Sequence, residues 1–134
     1  MLFRSDKGLG LQLLGKRLLA TCERASTNTQ RAQAQALQVA WAQVIQATQD
    51  AWKGGDPALS LANAVPYMQA FGHTVLAWIW LDVSLASLGN DAASLGRRQA
   101  CQYFFNYELP KTGAWLNVVQ SRDATCADMP EDAF

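Results

Sequence analysis

The sequence has few of the residues that mark a disulfide-bonded, metal-binding or nucleic-acid-binding protein. Its three cysteines, Cys22, Cys101 and Cys126, are an odd number at wide spacing, which fits neither a disulfide framework nor a metal-ligand pattern. Lysine and arginine total 11, as do aspartate and glutamate, so a broad basic surface for phosphate backbones is missing. We therefore expect a protein of the reducing cytoplasm with no nucleic-acid partner.

Long uninterrupted hydrophobic runs are also missing. The densest apolar segment, 75–81, lies in a window that His73 and Asp82 interrupt, so we expect no transmembrane helix. The apolar patch near the N-terminus is broken by Gln12 and Gly15 and has no small-residue cleavage site, which makes it a poor secretory signal. Half of the 134 residues are nevertheless hydrophobic, which predicts one domain over residues 1–134 with an ordinary core.

What the sequence does have is helical periodicity. Apolar residues recur at intervals of three and four over residues 9–25 and 29–53, which predicts two amphipathic helices. A pair of glycines ends the second helix, with Asp56 as the N-cap of the next helix and Pro57 at its first position. The two predicted buried stripes are Leu11, Leu14, Leu18, Cys22 and Ala25, and Leu37, Trp41, Val44, Thr48 and Trp52.

The third helix, predicted over residues 58–88, is expected to be the central one. Pro66 either bends this helix or ends a short initial turn. Trp78 and Trp80 extend its apolar surface, so neighbours should cover it on more than one side. The stripe expected to pack against the other helices is Leu61, Val65, Met68, Gly72, Val75, Ile79 and Val83.

A fourth helix is predicted over residues 92–108 with Asp91 as its N-cap, and a proline then separates it from a short fifth segment. The acidic tail, 121–134, has no sustained period and should be extended unless Met129 and Phe134 dock on the body. The expected fold is therefore all-α, an antiparallel up-and-down four-helix bundle with a short fifth helical segment and an extended acidic C-terminal tail.

Three side chains are candidates for chemistry or ion pairing. His73 has no nucleophile beside it in the sequence, so a hydrogen-bonded structural histidine is favoured over a general base. Glu108 follows several aromatic residues, which can raise a carboxyl pKa and create an acid or base, but a second carboxylate at a related spacing is missing. Asp82 is expected to pair with Arg97 or Arg98, or to lie in solvent. We therefore assign no catalytic, cofactor-binding or metal-binding residue.

Three strings, in this order along the chain, carry a family resemblance. They are LANAVPYMQAFGHTVLAWIWLD at 61–82, QYFFNYELPKTGAWLNVV at 102–119 and DMPEDAF at 128–134. Together they resemble the accessory C-terminal domain of acyl-CoA dehydrogenases in the subfamily that includes the 3-methylmercaptopropionyl-CoA dehydrogenases. The opening Asp6, Lys7 and Gly8 also look like the junction from which that domain starts, so the resemblance covers nearly the whole chain.

The resemblance implies a supporting role. In that family the flavin site, the acyl-CoA cleft and the catalytic glutamate lie in preceding domains, where FAD accepts a hydride from the β-carbon while the glutamate removes the α-proton. This chain would then be the non-catalytic C-terminal part of a larger, oligomeric FAD oxidoreductase of fatty acid metabolism. It would support assembly and stability by packing on the catalytic domains or on a neighbouring subunit. The contact residues we predict are Trp78, Trp80, Phe104, Phe105 and Trp115.

The five tryptophans also support a second hypothesis. Apolar cavities between the helices of a bundle can hold ligands, so the chain could be an autonomous bundle that binds an acyl chain or acyl-CoA in a Trp-lined interior. Tryptophans are more often core residues or partner contacts. The supporting domain should carry no flavin of its own, whereas the autonomous binder should show saturable tryptophan quenching by acyl-CoA.

Overall fold

The structure is a computed structural model that describes residues 8–27 and 29–133. Most of these residues are helical and none is in a β-strand, so the all-α prediction is confirmed. The predicted junction residues Asp6 and Lys7, and the terminal Phe134, lie outside the described residues. The elements are α1 (Leu9–Ser26), α2 (Arg31–Ala51), α3 (Pro57–Leu61), α4 (Ala64–Leu85), α5 (Ala92–Tyr103), a π-helical segment (Phe104–Glu108), α6 (Lys111–Ser121) and a 3₁₀ turn (Glu131–Ala133).

The helix boundaries follow the capping signals in the sequence. Gly55 has a φ of 68°, a left-handed conformation that glycine adopts without steric cost. Asp56 then accepts a hydrogen bond from the backbone N–H two residues on, at 3.0 Å, and Pro57 opens α3. Asp91 caps α5 by accepting from both the backbone N–H and the hydroxyl of Ser94. The predicted N-caps Asp56 and Asp91 and the opening Pro57 are therefore confirmed, whereas the glycine C-cap is wrong because α2 ends at Ala51 with Trp52 as its C-cap.

The predicted third helix is divided in two. α3 ends at Leu61 and α4 begins at Ala64, with Asn63 at the N-cap position between them. Pro66 is the third residue of α4, where a backbone N–H has no helical partner in any case. Pro66 therefore does not bend the long helix in its middle. The short helix α3 precedes it, and α4 continues unbroken after it.

Helix α5 ends in a wider turn before Pro110. The backbone N–H of Leu109 donates to the carbonyl of Phe104 at 2.9 Å, an i to i−5 bond, and the segment Phe104–Glu108 is π-helical. In a continuous α-helix the ring of Pro110 would meet the carbonyl of Asn106. The wider turn avoids that clash and lets α6 start directly afterwards.

The core lies around α2 and α4. Helix α4 contacts α1, α2, α5, α6 and the π-helical segment, so the expectation that neighbours cover it on several sides is confirmed. The buried positions predicted for α1 and α2 also lie inside, apart from Leu11, Leu14 and Trp52, which are half-buried. The leucine and valine side chains at the centre that are at most 1% exposed are Leu18, Leu37, Val44, Leu81 and Leu116.

The prediction of which side of α4 faces the other helices is wrong, because much of the predicted stripe is exposed. Val65 is 70% exposed, Met68 60% and Ile79 47%. The opposite face is inside, and its small side chains let several neighbouring helices approach α4 closely. Because α4 is apolar on most of its circumference, periodicity alone does not distinguish its two faces. The residues of the buried face are Ala70, Thr74, Ala77, Leu81 and Ser84.

Asp82 pairs with a different arginine from those predicted. Its carboxylate lies 2.5 Å from the guanidinium of Arg24 on α1, with both side chains more than half exposed. Arg98 instead donates to the carbonyls of Ser87 and Gly89 in the loop that precedes α5. The prediction of an Arg97 or Arg98 partner is wrong because Asp82 lies on the side of α4 that faces α1.

The C-terminal segment is folded into turns, contrary to the extended tail we expected. α6 ends at Arg122 in a left-handed conformation with a φ of 53°, and the amide of Asn63 donates to the carbonyl of Asp123 at 2.9 Å. A turn closed by a backbone bond from Asp128 and the 3₁₀ turn follow. Met129 is 45% exposed and therefore does not dock on the core.

We predict that Leu81→Ala lowers the free energy of unfolding by about 2–5 kcal/mol, because it removes a fully buried side chain from the small-residue face of α4. Leu95→Ala, at a half-exposed leucine of α5, should cost less than about 1 kcal/mol. Urea unfolding followed by circular dichroism gives both values. Equal losses for the two variants would contradict the observed orientation of α4.

Candidate functional site

A polar cluster lies where α4, the π-helical segment and α6 meet. The Nε2 atom of His73 is 3.2 Å from Oε2 of Glu108, and the ammonium of Lys111 lies 2.9 Å from the same oxygen. The imidazole also packs edge-on against Trp115, with ring centroids 4.8 Å apart, and near Phe104 at 5.7 Å. Both His73 and Glu108 are half-buried. The cluster therefore connects α4, the π-helical segment and α6 through one carboxylate.

The pKa of Glu108 is shifted in the direction opposite to the one expected from its aromatic neighbours. Hydrogen bonds from Lys111 and His73 lower the pKa of this carboxyl below its ordinary 4.5, and they outweigh partial burial, which acts in the other direction. The side chain is therefore ionised at neutral pH and cannot supply a proton as a general acid. His73 is hydrogen-bonded, as expected, and its purely structural role stays a prediction.

The predicted contact residues lie at different depths. Trp78 is half-buried, and its indole N–H donates to the hydroxyl of Thr21 at 2.8 Å, linking α4 to α1. Phe104 and Trp115 are half-buried on either side of His73, and Trp80 is half-buried on α4. Phe105 is only 7% exposed and lies in the core, so it is not available to a partner in this conformation. For the other four residues the contact role stays a prediction.

Two exposed tyrosines were not singled out from the sequence. Tyr103 is 54% exposed and Tyr107 is 64% exposed. Their rings stack with centroids 4.8 Å apart and planes inclined by 16°. The signal that could have found them is their spacing of four, with polar Gln102 and Asn106 beside them at the same interval. A flat aromatic surface with hydroxyl groups at its edge suits a protein contact.

A groove of about 540 Å³ lies between α1 and α2. One tryptophan, Trp41, lines it, and Lys16 is the only charged residue among its lining residues. This groove is open to the surface and therefore differs from the enclosed, Trp-lined interior of the second hypothesis. The other lining residues are Gly8, Leu11, Gln12, Gly15, Leu19, Ile45, Thr48 and Gln49.

The cysteines divide into two buried thiols and one exposed thiol. Cys22 and Cys101 are fully buried, and burial raises the pKa of each to about 11. Cys126 is exposed in the C-terminal segment. Within residues 8–27 and 29–133, histidine, cysteine and acidic side chains form no group of three or more that could hold a metal ion. None of the helices described there has the length and apolarity needed to cross a bilayer.

We predict that a thiol reagent such as dithiobis(nitrobenzoic acid) modifies one cysteine rapidly in the folded chain and all three after denaturation. Cys126 is accessible, whereas Cys22 and Cys101 are buried and mostly protonated at pH 8 because their pKa values are near 11. Cys126→Ser should remove the fast reaction. Two rapidly reacting thiols in the native chain would contradict the burial described here.

We predict that Glu108→Gln lowers the thermal midpoint at pH 7 but has little effect at pH 3. The folded-state pKa of Glu108 is lowered, so its stabilising contribution is present above the ordinary value of 4.5 and is lost as the pH falls through the lowered folded value. Calorimetric scans from pH 3 to pH 7 measure this difference. Glu131→Gln, at an exposed position, is the control, and a Glu108→Gln effect that grows towards pH 3 would refute the assignment.

One comparison with known proteins gives a match across most of the chain. The family whose model matches residues 14–130 is described as acetyl-CoA dehydrogenase C-terminal like. Comparison with curated proteins and with solved structures gave no match. The matched residues include the His73 cluster, the tyrosine pair and every helix except the first turns of α1 and the final 3₁₀ turn. The chain therefore belongs to the acetyl-CoA dehydrogenase C-terminal-like family.

Proposed function

We propose that this chain is the non-catalytic C-terminal helical domain of an acyl-CoA dehydrogenase-like FAD oxidoreductase, where it supports assembly and stability of the catalytic body. Membership of the family is the observation that carries the proposal. The lowered pKa of Glu108 argues against one catalytic role, that of a general acid, because the ionised carboxylate has no proton to donate. The oxidation of an acyl-CoA would then take place in the catalytic body, in the cytoplasm.

The flavin is assigned to the catalytic body because the described residues do not fit FAD. The groove between α1 and α2 presents a single cation, Lys16, among uncharged lining residues, whereas a dinucleotide carries two phosphate charges. The two glycines lie in the connection between α2 and α3, where Gly55 has a left-handed backbone and Gly54 lies against the guanidinium of Arg122. A backbone turn and close packing are therefore sufficient to explain both glycines.

We propose that the helices form an antiparallel up-and-down bundle. Short connections, 27–30 between α1 and α2 and 86–91 between α4 and α5, join helices that contact each other. Short loops between contacting helices favour antiparallel neighbours. Contacts of α6 with both α2 and α4 would complete the bundle.

We propose that the aromatic surface, defined as Tyr103, Phe104, Tyr107 and Trp115, contacts the catalytic body. Stacked tyrosines supply a large and already ordered contact area, so little side-chain entropy is lost on binding. His73 packs against the two half-buried rings, Phe104 and Trp115, and is itself held by the carboxylate of Glu108. The π-helical segment carries two of the four residues, Phe104 and Tyr107, and π-helical turns are common at functional sites.

The first test uses extract of the native host. We expect an antibody against this chain to detect, after native electrophoresis, a species that also carries flavin fluorescence and acyl-CoA dehydrogenase activity. Denaturing electrophoresis then shows whether the flavin protein and this domain are one polypeptide or two. A chain that migrates at 14.7 kDa and separates from all flavin under native conditions would contradict the proposal.

The second test uses the flavin protein so identified. Replacing Tyr103 and Tyr107 by alanine should weaken the contact with the catalytic body by about 2 kcal/mol or more, as truncation of central interface aromatics does. The matched control replaces Gln102 and Asn106, which have the same spacing and are also exposed. The rate of thermal inactivation of the enzyme, followed by the release of its flavin, measures the effect. Identical inactivation of the two double variants would remove the aromatic surface from the proposal.

A further inference from the structure

The exposed side of α4 carries an apolar face that no part of the described chain covers. We define the apolar face of α4 as Val65, Met68, Gly72, Leu76 and Ile79. The four side chains other than glycine are between 45% and 70% exposed. They lie on the side opposite the buried small residues, because helical positions four and seven apart return to nearly the same direction.

The face is symmetric about its central glycine. Met68 and Leu76 lie four residues before and after Gly72, and Val65 and Ile79 lie seven residues before and after it. At about 100° per residue, all four point within about 40° of the direction of Gly72. An antiparallel copy of the same helix, related by a two-fold axis through Gly72, would therefore present the same pattern in return.

The glycine itself is not required by the fold. A Cβ atom added at Gly72 would meet nothing within 4 Å, although glycine lowers helix stability relative to alanine. The close approach of a backbone from a second molecule would explain why glycine is present at this position. Gly96 and Gly113 also have open space, so an open helical glycine is not sufficient evidence. What distinguishes Gly72 is its place at the centre of a symmetric apolar face.

We propose that α4 packs antiparallel against α4 of a second copy of this chain, with the two-fold axis at Gly72. Met68 then contacts Leu76 of the second copy, and Val65 contacts Ile79 of the second copy. The pairing gives the proposed assembly role a specific contact between subunits. It is tested on the 134-residue chain alone, so it can fail while the association with a catalytic body still holds.

Charge and area both fit a second copy. The only acidic or basic side chain in α4, other than the histidine, is Asp82, which is paired with Arg24, so like charges do not meet across the axis. The apolar face exposes on the order of 400 Å² per copy, within the range of functional surface patches and about half of a standard interface contribution. We therefore expect a reversible dimer with a micromolar dissociation constant, strengthened where other contacts hold two subunits together.

Sedimentation equilibrium of the 134-residue chain tests the pairing. We expect dimers at 100 µM, and we expect Gly72→Glu to raise the dissociation constant at least tenfold, because two carboxylates would meet at the axis. Gly96→Glu is the matched control, since it also places glutamate at an open helical glycine. It should fold equally by circular dichroism and dimerise like the parent chain. A monomeric parent chain, or equal effects of the two variants, would overturn the proposal.

Disulfide formation tests the register. In a Cys126→Ser background, where the remaining thiols are buried, Gly72→Cys should cross-link to itself under mild oxidation and Gly96→Cys should not. Met68→Cys and Leu76→Cys should cross-link more readily when mixed than when oxidised separately. Self-linked Gly96→Cys, or equal rates in mixed and separate samples, would refute this axis. Binding of the chain to phosphatidylcholine vesicles in place of dimerisation would assign the face to a lipid surface and would also refute it.

Discussion

The structure depends on the burial of small side chains along one face of α4. Ala70, Ala77 and Ser84 on this face allow α1, α2 and α6 to lie close to the central helix, and buried polar side chains hold it there. The indole of Trp78 donates to Thr21 on α1, the hydroxyls of Thr48 and Tyr67 are 2.7 Å apart, and the amide of Gln30 donates to Ser84. Once this face is inside, the large residues on the other side of α4 must lie outside.

This constraint also separates two surfaces with different chemistry. The apolar face of α4 is aliphatic, without hydrogen-bonding groups, and symmetric about Gly72, which suits an identical helix. The aromatic surface includes two tyrosine hydroxyls, and its Phe104 and Trp115 rings pack near His73 of the polar cluster, which suits a partner with polar groups at the rim. If both proposals hold, the two surfaces would let this domain contact a catalytic body on one side and a second copy of the chain on the other.

Local signals in the chain predicted most of the helices, because caps and amphipathic periods act over a few residues. Asp56, Pro57 and Asp91 are where capping rules place them, and the buried positions of α2 follow the period of three and four. The candidate site was less predictable, because its members come from three elements. Lys111 is only three residues from Glu108, a spacing that local rules cover, whereas His73 is 35 residues away and reaches Glu108 only through the packing of α4. Both contacts lower the pKa of Glu108, against the direction expected from its aromatic neighbours.

The sequence by itself determined the all-α class, the positions of the main helices, the buried faces of α1 and α2 and, through three strings of residues, the resemblance to the family. Only the tertiary structure decided which face of α4 is inside, which arginine pairs with Asp82 and why Phe105 is not at the surface. The physical reason is that α4 is apolar on most of its circumference, so burial of either face removes apolar area from water. The choice depends on which face lets the neighbouring helices come close, and that is a property of their packing.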